Sequence, residues 1–172
     1  MTSPFANVHK KINKPRRNET EQIVKPVLAA LGRHDYIIAS ESMPFSSIGA
    51  ILKNMTGANN GASIRGVVWR QNTGAAMLKG KGGIVRPIRF GLAGQADIIG
   101  IRADGKFIAI ECKWPGESYE PAALTTSKSG ALKAKRLREQ KGFAVMVHFL
   151  KGVSMVATGP ADIDRAIQEQ YL

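Results

Sequence analysis

The sequence contains very little cysteine and no long apolar run. Cys112 is the only cysteine among 172 residues, so no disulfide can form within the chain and a reducing compartment is favoured. No apolar segment approaches the roughly 18 residues that cross a bilayer, and residues 1–14 lack the apolar centre of a signal peptide. These absences predict a cytoplasmic protein without a membrane partner.

Acidic residues are also scarce, and one long stretch has none. The chain has 25 lysines and arginines against 13 aspartates and glutamates, which gives a net charge of +12. Residues 42–96 carry basic residues but no acid, as do two further blocks at 10–17 and 128–138. A solvated surface would explain any one block, but three favour a polyanion such as nucleic acid. The residues predicted to contact it are Arg65, Arg70, Lys79, Lys81, Arg86, Arg89, Lys128, Lys133, Lys135 and Arg136.

Hydrophobic spacing predicts one mixed α/β domain over residues 18–172, preceded by a basic flexible tail at 1–17. Asn18 can cap the first helix, and Pro26 within that helix implies a kink or a restart. The later elements expected from the pattern are strands at Gly66–Arg70, Ile84–Phe90, Asp97–Arg102 and Lys106–Lys113, a helix over Leu132–Leu150, a strand over Val153–Ala157 and a last helix over Asp162–Leu172.

Three segments rich in glycine or small polar residues are predicted to be loops. Residues 42–63 contain many serines, glycines and asparagines, with room for one short helix at the apolar patch Ile48–Leu52. Residues 114–130 contain proline, glycine, serine and threonine. Residues 74–82 combine glycine with two lysines but lack the Ser or Thr that follows the lysine of a triphosphate-binding loop. We interpret residues 74–82 as a flexible basic loop.

The turn Ala103-Asp-Gly105 separates two apolar strands, and its length decides whether their acidic residues meet. With a two-residue turn, Asp97 faces away from Glu111. With a three-residue loop in which Gly105 is left-handed, Arg102 pairs with Lys106, and Asp97 then lies directly opposite Glu111. We predict the second register, with the two carboxylates roughly within 6 Å of each other.

That register would gather two carboxylates and an ammonium at one end of the hairpin. Alternate strand residues share a face, so Lys113 lies on the same side as Glu111. An isolated Glu-x-Lys is explained by an ion pair or by a strand end that reaches solvent. Two adjacent carboxylates, however, repel unless a cation lies between them. Oxygen ligands with room for water suit Mg²⁺ or Mn²⁺, which activates water against a phosphodiester.

Three segments around these residues carry a family resemblance: Trp69-Arg-Gln-Asn-Thr-Gly74, then Arg89-Phe-Gly91 with Gly94-Gln-Ala-Asp97-Ile-Ile-Gly100, then Asp104-Gly-Lys-Phe-Ile-Ala-Ile-Glu-Cys-Lys113. In them the chain resembles the virus-type replication-repair nuclease (VRR-NUC) domain of the PD-(D/E)xK nuclease superfamily. The resemblance covers roughly residues 18–172 and is specific in the central half.

The resemblance implies an α-β-β-β-α-β core with a C-terminal helix, in which a mixed sheet is flanked by helices. It also implies a Mg²⁺-dependent (or Mn²⁺-dependent) DNA endonuclease that acts in phage or mobile-element repair, recombination or DNA processing. Branched or flapped DNA and a homodimer are among the options it leaves open. The implied site consists of Asp97, Glu111 and the backbone carbonyl of Cys112 as metal ligands, Lys113 beside the hydrolytic water, and Glu21 and Gln140 completing the site.

Two of these assignments depend on spacing within helices. Glu21 lies seven residues before Leu28 and matches the first-helix spacing of the family better than Glu19. Gln140 lies on the apolar stripe of its own helix, where a buried amide must find partners. A boundary glutamine with its amide turned to water is the alternative.

The sequence departs from the family in three places. Ala96 replaces the proline before the first aspartate, Lys151 replaces the first glycine of a pair, and residues 115–136 look like a basic insertion. None of these changes removes a ligand. The main rival interpretation is a non-catalytic nucleic-acid-binding protein on an inactive nuclease fold. A basic structural protein without a site would instead place Asp97 and Glu111 on opposite faces of the hairpin.

Overall fold

A computed structural model describes residues 18–39, 64–71, 74–79, 85–117, 119 and 128–172, with the backbone alone described at 74–79, 85–90 and 128. The predicted basic tail, the predicted loop at 42–63, Lys81 and part of the predicted insertion lie outside these residues.

The elements follow one another in a mixed α/β order. A π-helical turn, Thr20–Val24, leads directly into the first helix, and two more helices follow the central strands. The elements are α1 (Lys25–Arg33), β1 (Tyr36–Ala39), β2 (Gly66–Arg70), β3 (Gly74–Lys79), β4 (Val85–Phe90), β5 (Ile98–Arg102), β6 (Phe107–Cys112), α2 (Lys128–Phe149), β7 (Val153–Ala157) and α3 (Pro160–Gln168).

Five strands form one mixed sheet in the order β1-β2-β5-β6-β7. The outer pairs β1–β2 and β6–β7 are parallel, whereas β2–β5 and β5–β6 are antiparallel. Strands β3 and β4 pair with each other in a separate antiparallel hairpin. Strands β2, β5 and β6 therefore have neighbours on both sides, which agrees with the apolar residues in both alternating sets of β5 and β6.

Helices cover both faces of the five-stranded sheet. On one face, α1 and α3 bury residues such as Leu31 and Ile163 against the strands. On the other, Phe143 and Val147 of α2 pack on Ala96, Ile99 and Ala109. This arrangement confirms the predicted mixed α/β architecture, in which helices flank a mixed sheet. The assignment of this architecture to a nuclease core remains a prediction. None of the helices within the described ranges is long and apolar enough to cross a membrane.

The sequence pattern located most elements, but it missed one strand, assigned two segments wrongly as loop and extended the last helix too far. Strand β1 was not predicted, although Tyr36–Ala39 is a short, mostly buried apolar run. The loop interpretation is wrong at 74–79, which form β3, and at 128–130, where α2 begins earlier than the expected Leu132. The last helix ends at Gln168, short of the expected Leu172.

The start of the first helix follows the prediction and explains the position of its proline. The side-chain Oδ1 of Asn18 accepts a hydrogen bond from the Glu21 N–H at 3.3 Å, as a helix cap does. Pro26 has no N–H to continue the helical ladder, and the wider π-helical turn lies immediately before it. The expected restart is therefore a change of helix type between Val24 and Lys25.

Candidate active site

The hairpin between β5 and β6 has the register that brings the acidic residues together. The Arg102 N–H donates to the Lys106 carbonyl at 2.8 Å, and Gly105 closes the loop with a φ of 85°. Ile98 lies opposite Ile110. Extending this register by one residue sets Asp97 against Glu111, and facing residues typically have Cβ atoms about 4.5–5.5 Å apart. The prediction of a three-residue loop is confirmed.

Asp97 is held by backbone groups from both neighbouring strands. Its carbonyl accepts the Gln71 N–H at 2.7 Å, and its Oδ2 accepts the Cys112 N–H at 2.9 Å. The N–H and C=O of one strand residue point to the same side, so the Cys112 carbonyl is also directed toward Asp97. Because β5 begins only at Ile98, no residue of β5 pairs with Cys112, whose partner on the other side is Ala157 of β7.

Glu111, Lys113 and Gln140 form a buried polar cluster beside Asp97. Their exposed fractions are 2%, 7% and 4%. The Lys113 Nζ donates to Glu111 Oε1 at 2.8 Å and to Gln140 Oε1 at 2.7 Å. The Gln140 Nε2 also donates to Glu111 Oε1. Gln140 is thus buried and hydrogen-bonded to both residues of the Glu-x-Lys, rather than turned to water.

Burial and charge make the Glu111 carboxylate unusually easy to protonate. The pKa of Glu111 is raised to about 7, first because burial disfavours the charged form and then because Asp97 is negative. The hydrogen bond and the charge of Lys113 oppose this rise. Burial also raises the pKa of the Cys112 thiol, with Asp97 as the next cause, so the thiol stays neutral. Because a metal ion binds the thiolate rather than the neutral thiol, the sulfur of Cys112 is a poor ligand and the site offers oxygen atoms instead.

The first-helix acid that reaches the cluster is Glu19, not Glu21. The Glu21 carboxylate is half exposed and pairs with Lys25 Nζ at 2.8 Å. The pKa of Glu19 is raised, chiefly by burial and next by the charge of Asp97, while Lys113 lowers it. The structure therefore does not bring Glu21 to the other site residues. The π-helical turn that starts at Thr20 changes the phase of the side chains.

Tyr119 is a further residue near the cluster that the sequence did not single out. Its pKa is raised, first by burial and then by the charge of Glu111, and its side chain is hydrogen-bonded to that of Ser154 on β7. Ser154 is in register with Ala109, which lies two residues before Glu111 on the same face. Tyr119 follows a Pro-Gly turn, and no spacing rule connects it to the hairpin.

The loop before Asp97 places α2, and with it Gln140, against the sheet. Gly94 has a φ of 76°, and a Cβ at this position would lie 2.2 Å from the Glu139 carbonyl and 2.6 Å from the Gln140 nitrogen. Only glycine allows the loop to touch the helix backbone this closely. The glycine that the resemblance singled out therefore helps to position Gln140.

Replacing Gly94 by alanine is expected to destabilise the protein by roughly 2–5 kcal/mol, which adds a left-handed backbone cost of about 1–2 kcal/mol to the cost of the clash. The control is Gly105→Ala, because Gly105 has a φ of 85° but nothing within 4 Å of an added Cβ. That variant should lose only roughly 1–2 kcal/mol. Urea denaturation of both variants measures the difference, and equal losses would exclude the close contact at Gly94.

The basic residues predicted to contact nucleic acid fall into separate regions. Arg70 is next to the two carboxylates of Asp97 and Glu111, which we call the acidic cluster. Arg70 pairs with Ile98, the residue after Asp97, and its guanidinium donates to Thr20 Oγ1 at 3.1 Å. Arg65 lies at the opposite, hairpin end of the sheet, where it contacts the Leu172 carbonyl at 3.4 Å. Lys133, Lys135 and Arg136 lie on α2. Only the backbone is described for Lys79, Arg86, Arg89 and Lys128.

The cluster presents oxygen atoms of the kind that a divalent cation prefers. The Cys112 N–H donates to Asp97 Oδ2, and the Lys113 Nζ and Gln140 Nε2 both donate to Glu111 Oε1. Asp97 Oδ1, Glu111 Oε2 and the Cys112 carbonyl could hold one ion, with water filling the other positions. No group of three or more His, Cys, Asp or Glu side chains suited to a metal occurs in the described part of the chain. Any cation here would rely on a backbone carbonyl and water.

Comparison with known proteins does not place the chain in a family. No family model matches the sequence, and no curated protein matches it significantly.

Proposed function

We propose that this protein is a Mg²⁺- or Mn²⁺-dependent DNA endonuclease of the VRR-NUC type. The observation that carries the proposal is the convergence of Asp97 and Glu111 at one end of the β5–β6 hairpin, with Lys113 buried against Glu111. Two carboxylates and an ammonium on one face are the groups that metal-assisted phosphodiester hydrolysis requires. Intact residues at all three positions favour catalysis over an inactive fold.

In this proposal, Asp97, Glu111 and the Cys112 carbonyl hold the ion. When bound, the ion supplies Lewis acidity toward the phosphodiester and lowers the pKa of a coordinated water. Asp97 is positioned by the Cys112 N–H, so the two side-chain ligands are held at a fixed separation by the hairpin. The fixed hairpin keeps both carboxylates in place before substrate arrives.

Lys113 and Gln140 have distinct roles in the proposal. The Lys113 ammonium stabilises negative charge that develops on the attacked phosphate and orients the attacking water. Gln140 accepts from Lys113 Nζ at 2.7 Å and donates to Glu111 Oε1, so it fixes both side chains in one geometry. Gln140 is therefore a positioning residue. The charge of Glu19 lies close enough to influence Asp97 and Lys113, which makes it the first-helix acid of the site.

The net charge of +12 supports DNA as the substrate, and the resemblance supports phage or mobile-element repair, recombination or DNA processing, with a homodimer among the options. The rival is a non-catalytic DNA-binding protein in which Glu111 and Lys113 form a purely structural ion pair. Their burial and the 2.8 Å Nζ–Oε1 distance are what such a pair would also show.

Incubation of the protein with plasmid, flap and four-way-junction DNA, in Mn²⁺ or in EDTA, tests the proposal. We expect cleavage of at least one substrate in Mn²⁺ and none in EDTA. DNA binding without cleavage of any of the three substrates would support the non-catalytic rival. Cleavage that persists in EDTA would contradict the metal-dependent mechanism.

A further inference from the structure

The first turns of α2 extend beyond the part of the helix that packs on the sheet. The side chains that α2 buries begin at Leu137 and continue through Gln140, Phe143 and Val147. The side chains described before Leu137 are half-buried or exposed. The sheet-facing side of the helix therefore continues past the end of the sheet, at the level of the acidic cluster.

Basic side chains occupy that sheet-facing side of the extension. Arg136 lies four residues before Gln140, and Lys133 lies seven before it, so all three share one face of the helix. Arg138 lies two residues before Gln140 and points to the other side of the helix. The basic block at 128–138 is thus divided by helix geometry into residues directed toward the site and residues directed away from it.

Arg136 acts electrostatically on two carboxylates of the site but forms an ion pair with none of the described acids. Its positive charge lowers the pKa of both Glu111 and Glu19. Two neighbours on α2 are paired, because Lys133 lies 3.6 Å from Glu117 and Lys135 lies 3.8 Å from Glu139. In the described part of the chain, no carboxylate lies within 4 Å of the Arg136 guanidinium. Its hydrogen-bond donors are therefore not committed to those acids.

We propose that Arg136 binds a backbone phosphate of the DNA next to the one that is cleaved, and so sets where the strand crosses the acidic cluster. The inference rests on the proposed nuclease function and assigns it a specific substrate contact. A guanidinium presents a planar fork of donors that matches two phosphate oxygens, which a lysine cannot reproduce. Because α2 also carries Gln140, one rigid helix would join substrate placement to the order of the catalytic groups.

The alternative role for Arg136 is to balance the negative charge of the cluster. In that case its removal would alter the stability of the protein or its affinity for metal, but it would not depend on any particular phosphate. A readout that changes one phosphate at a time separates the two roles.

The test compares Arg136→Ala and Arg136→Lys with the matched control Arg138→Ala. Each variant is assayed at saturating Mn²⁺ on whichever of the flap and four-way-junction DNAs the wild type cleaves better. A series of that DNA carries a single neutral methylphosphonate at successive positions around the cleavage site. Melting temperatures of the three variants are measured in parallel to confirm that each is folded.

We expect Arg136→Ala to lower kcat/KM by about 10- to 100-fold, with Arg138→Ala within about threefold of wild type. Arg136→Lys should recover only part of the lost kcat/KM. For Arg136→Ala, the slope of the logarithm of the DNA-binding constant against the logarithm of the salt concentration should become shallower by about 0.7–0.9. On DNA with one particular methylphosphonate, wild type and Arg136→Ala should become equally slow, because the phosphate that Arg136 contacts is already neutral.

Equal activities of Arg136→Ala and Arg138→Ala on unmodified DNA would overturn the inference. A loss that stays the same at every methylphosphonate position would also overturn it and would assign Arg136 to charge balance. If the wild type cleaves only the plasmid, the methylphosphonate series is built on a duplex that spans the plasmid cleavage site. If it cleaves none of the three DNAs, the nuclease proposal itself fails and the inference fails with it. If the wild type cleaves DNA but no methylphosphonate position makes it as slow as Arg136→Ala, the inference about Arg136 fails and the nuclease proposal stands.

Discussion

Replacing Asp97 by asparagine is expected to abolish Mn²⁺-dependent DNA cleavage without lowering the stability of the metal-free protein. Asparagine keeps the shape of the side chain and an oxygen that can accept the Cys112 N–H, but it removes one negative ligand. The ion would then bind weakly, and the attacking water would not be activated. Removing one carboxylate also relieves its repulsion of Glu111, so the metal-free variant should be at least as stable as wild type.

Asp104→Asn is the matched control for this variant. Asp104 lies at the other end of the same hairpin, where hydrogen bonding to Arg102 holds the pKa of its carboxyl well below the usual range. The same chemical change at Asp104 should leave cleavage intact. Cleavage by Asp97→Asn at the rate of Asp104→Asn would contradict a catalytic role for Asp97.

The buried pair changes what is expected of Glu111→Gln. Repulsion between two adjacent carboxylates, taken alone, predicts that Glu111→Gln also abolishes cleavage with no loss of stability in the metal-free protein. In the structure, Lys113 is buried and its Nζ donates to Glu111 Oε1, so glutamine would leave a buried ammonium without its counter-charge. We now expect a loss of up to about 3–5 kcal/mol for Glu111→Gln. Asp97→Asn is therefore the variant that separates catalysis from stability.

Replacing Lys113 by methionine is expected to destabilise the folded protein strongly. Methionine has a similar length but cannot compensate the charge of Glu111, which is almost fully buried. At pH 8 in EDTA we expect a loss of about 3–5 kcal/mol in the free energy of unfolding. Cleavage should also be lost, since the ammonium beside the attacked phosphate is gone.

The loss of unfolding free energy caused by Lys113→Met should become smaller as the pH falls. The pKa of Glu111 is raised in the folded protein to about 7, so its stabilising contribution is complete below its unfolded value near 4.5 and is lost as the pH rises through 7. Lys113 lowers this pKa, so its removal raises the pKa of Glu111 further. The free energy of unfolding should therefore fall more between pH 5 and pH 8 in Lys113→Met than in wild type. Urea denaturation of wild type and Lys113→Met at pH 5 and pH 8 measures this.

The double variant Glu111→Gln/Lys113→Met provides the control for that experiment. Removing both charges leaves no uncompensated buried ion, so it should be more stable at pH 8 than Lys113→Met alone. Two outcomes would show that packing rather than charge is responsible. One is a loss of unfolding free energy in Lys113→Met that does not depend on pH, and the other is a double variant that is no more stable than Lys113→Met.

The hairpin was the part of the site most accessible to sequence analysis. Alternation of side chains along Ile98–Arg102 and Phe107–Cys112 fixes which residues share a face, and Gly105 permits the three-residue loop that aligns Asp97 with Glu111. Gln140 was also recognisable, because a glutamine on an apolar helical stripe requires buried partners. These are local patterns, and each depends on few residues.

The parts that sequence analysis missed depend on contacts between distant segments or on unusual backbone geometry. Glu21 was preferred over Glu19 by spacing, but the π-helical turn Thr20–Val24 changes the phase on which that choice depended. Strand β3 contains glycine and two alanines and has little strand propensity of its own; pairing with β4 defines it. The contact of Gly94 with the α2 backbone and the direction of Arg136 follow only from how the helix lies on the sheet.

Mn²⁺ binding in the absence of DNA directly tests whether Asp97 and Glu111 together bind a divalent cation. Titration of Mn²⁺ into metal-free protein, followed by the electron paramagnetic resonance signal of free Mn²⁺, compares wild type with Asp97→Asn and Asp104→Asn. We predict saturable loss of the free signal with wild type and Asp104→Asn, and a signal close to that of buffer alone with Asp97→Asn. Indistinguishable Mn²⁺ binding by wild type and Asp97→Asn would show that Asp97 is not a ligand of the ion.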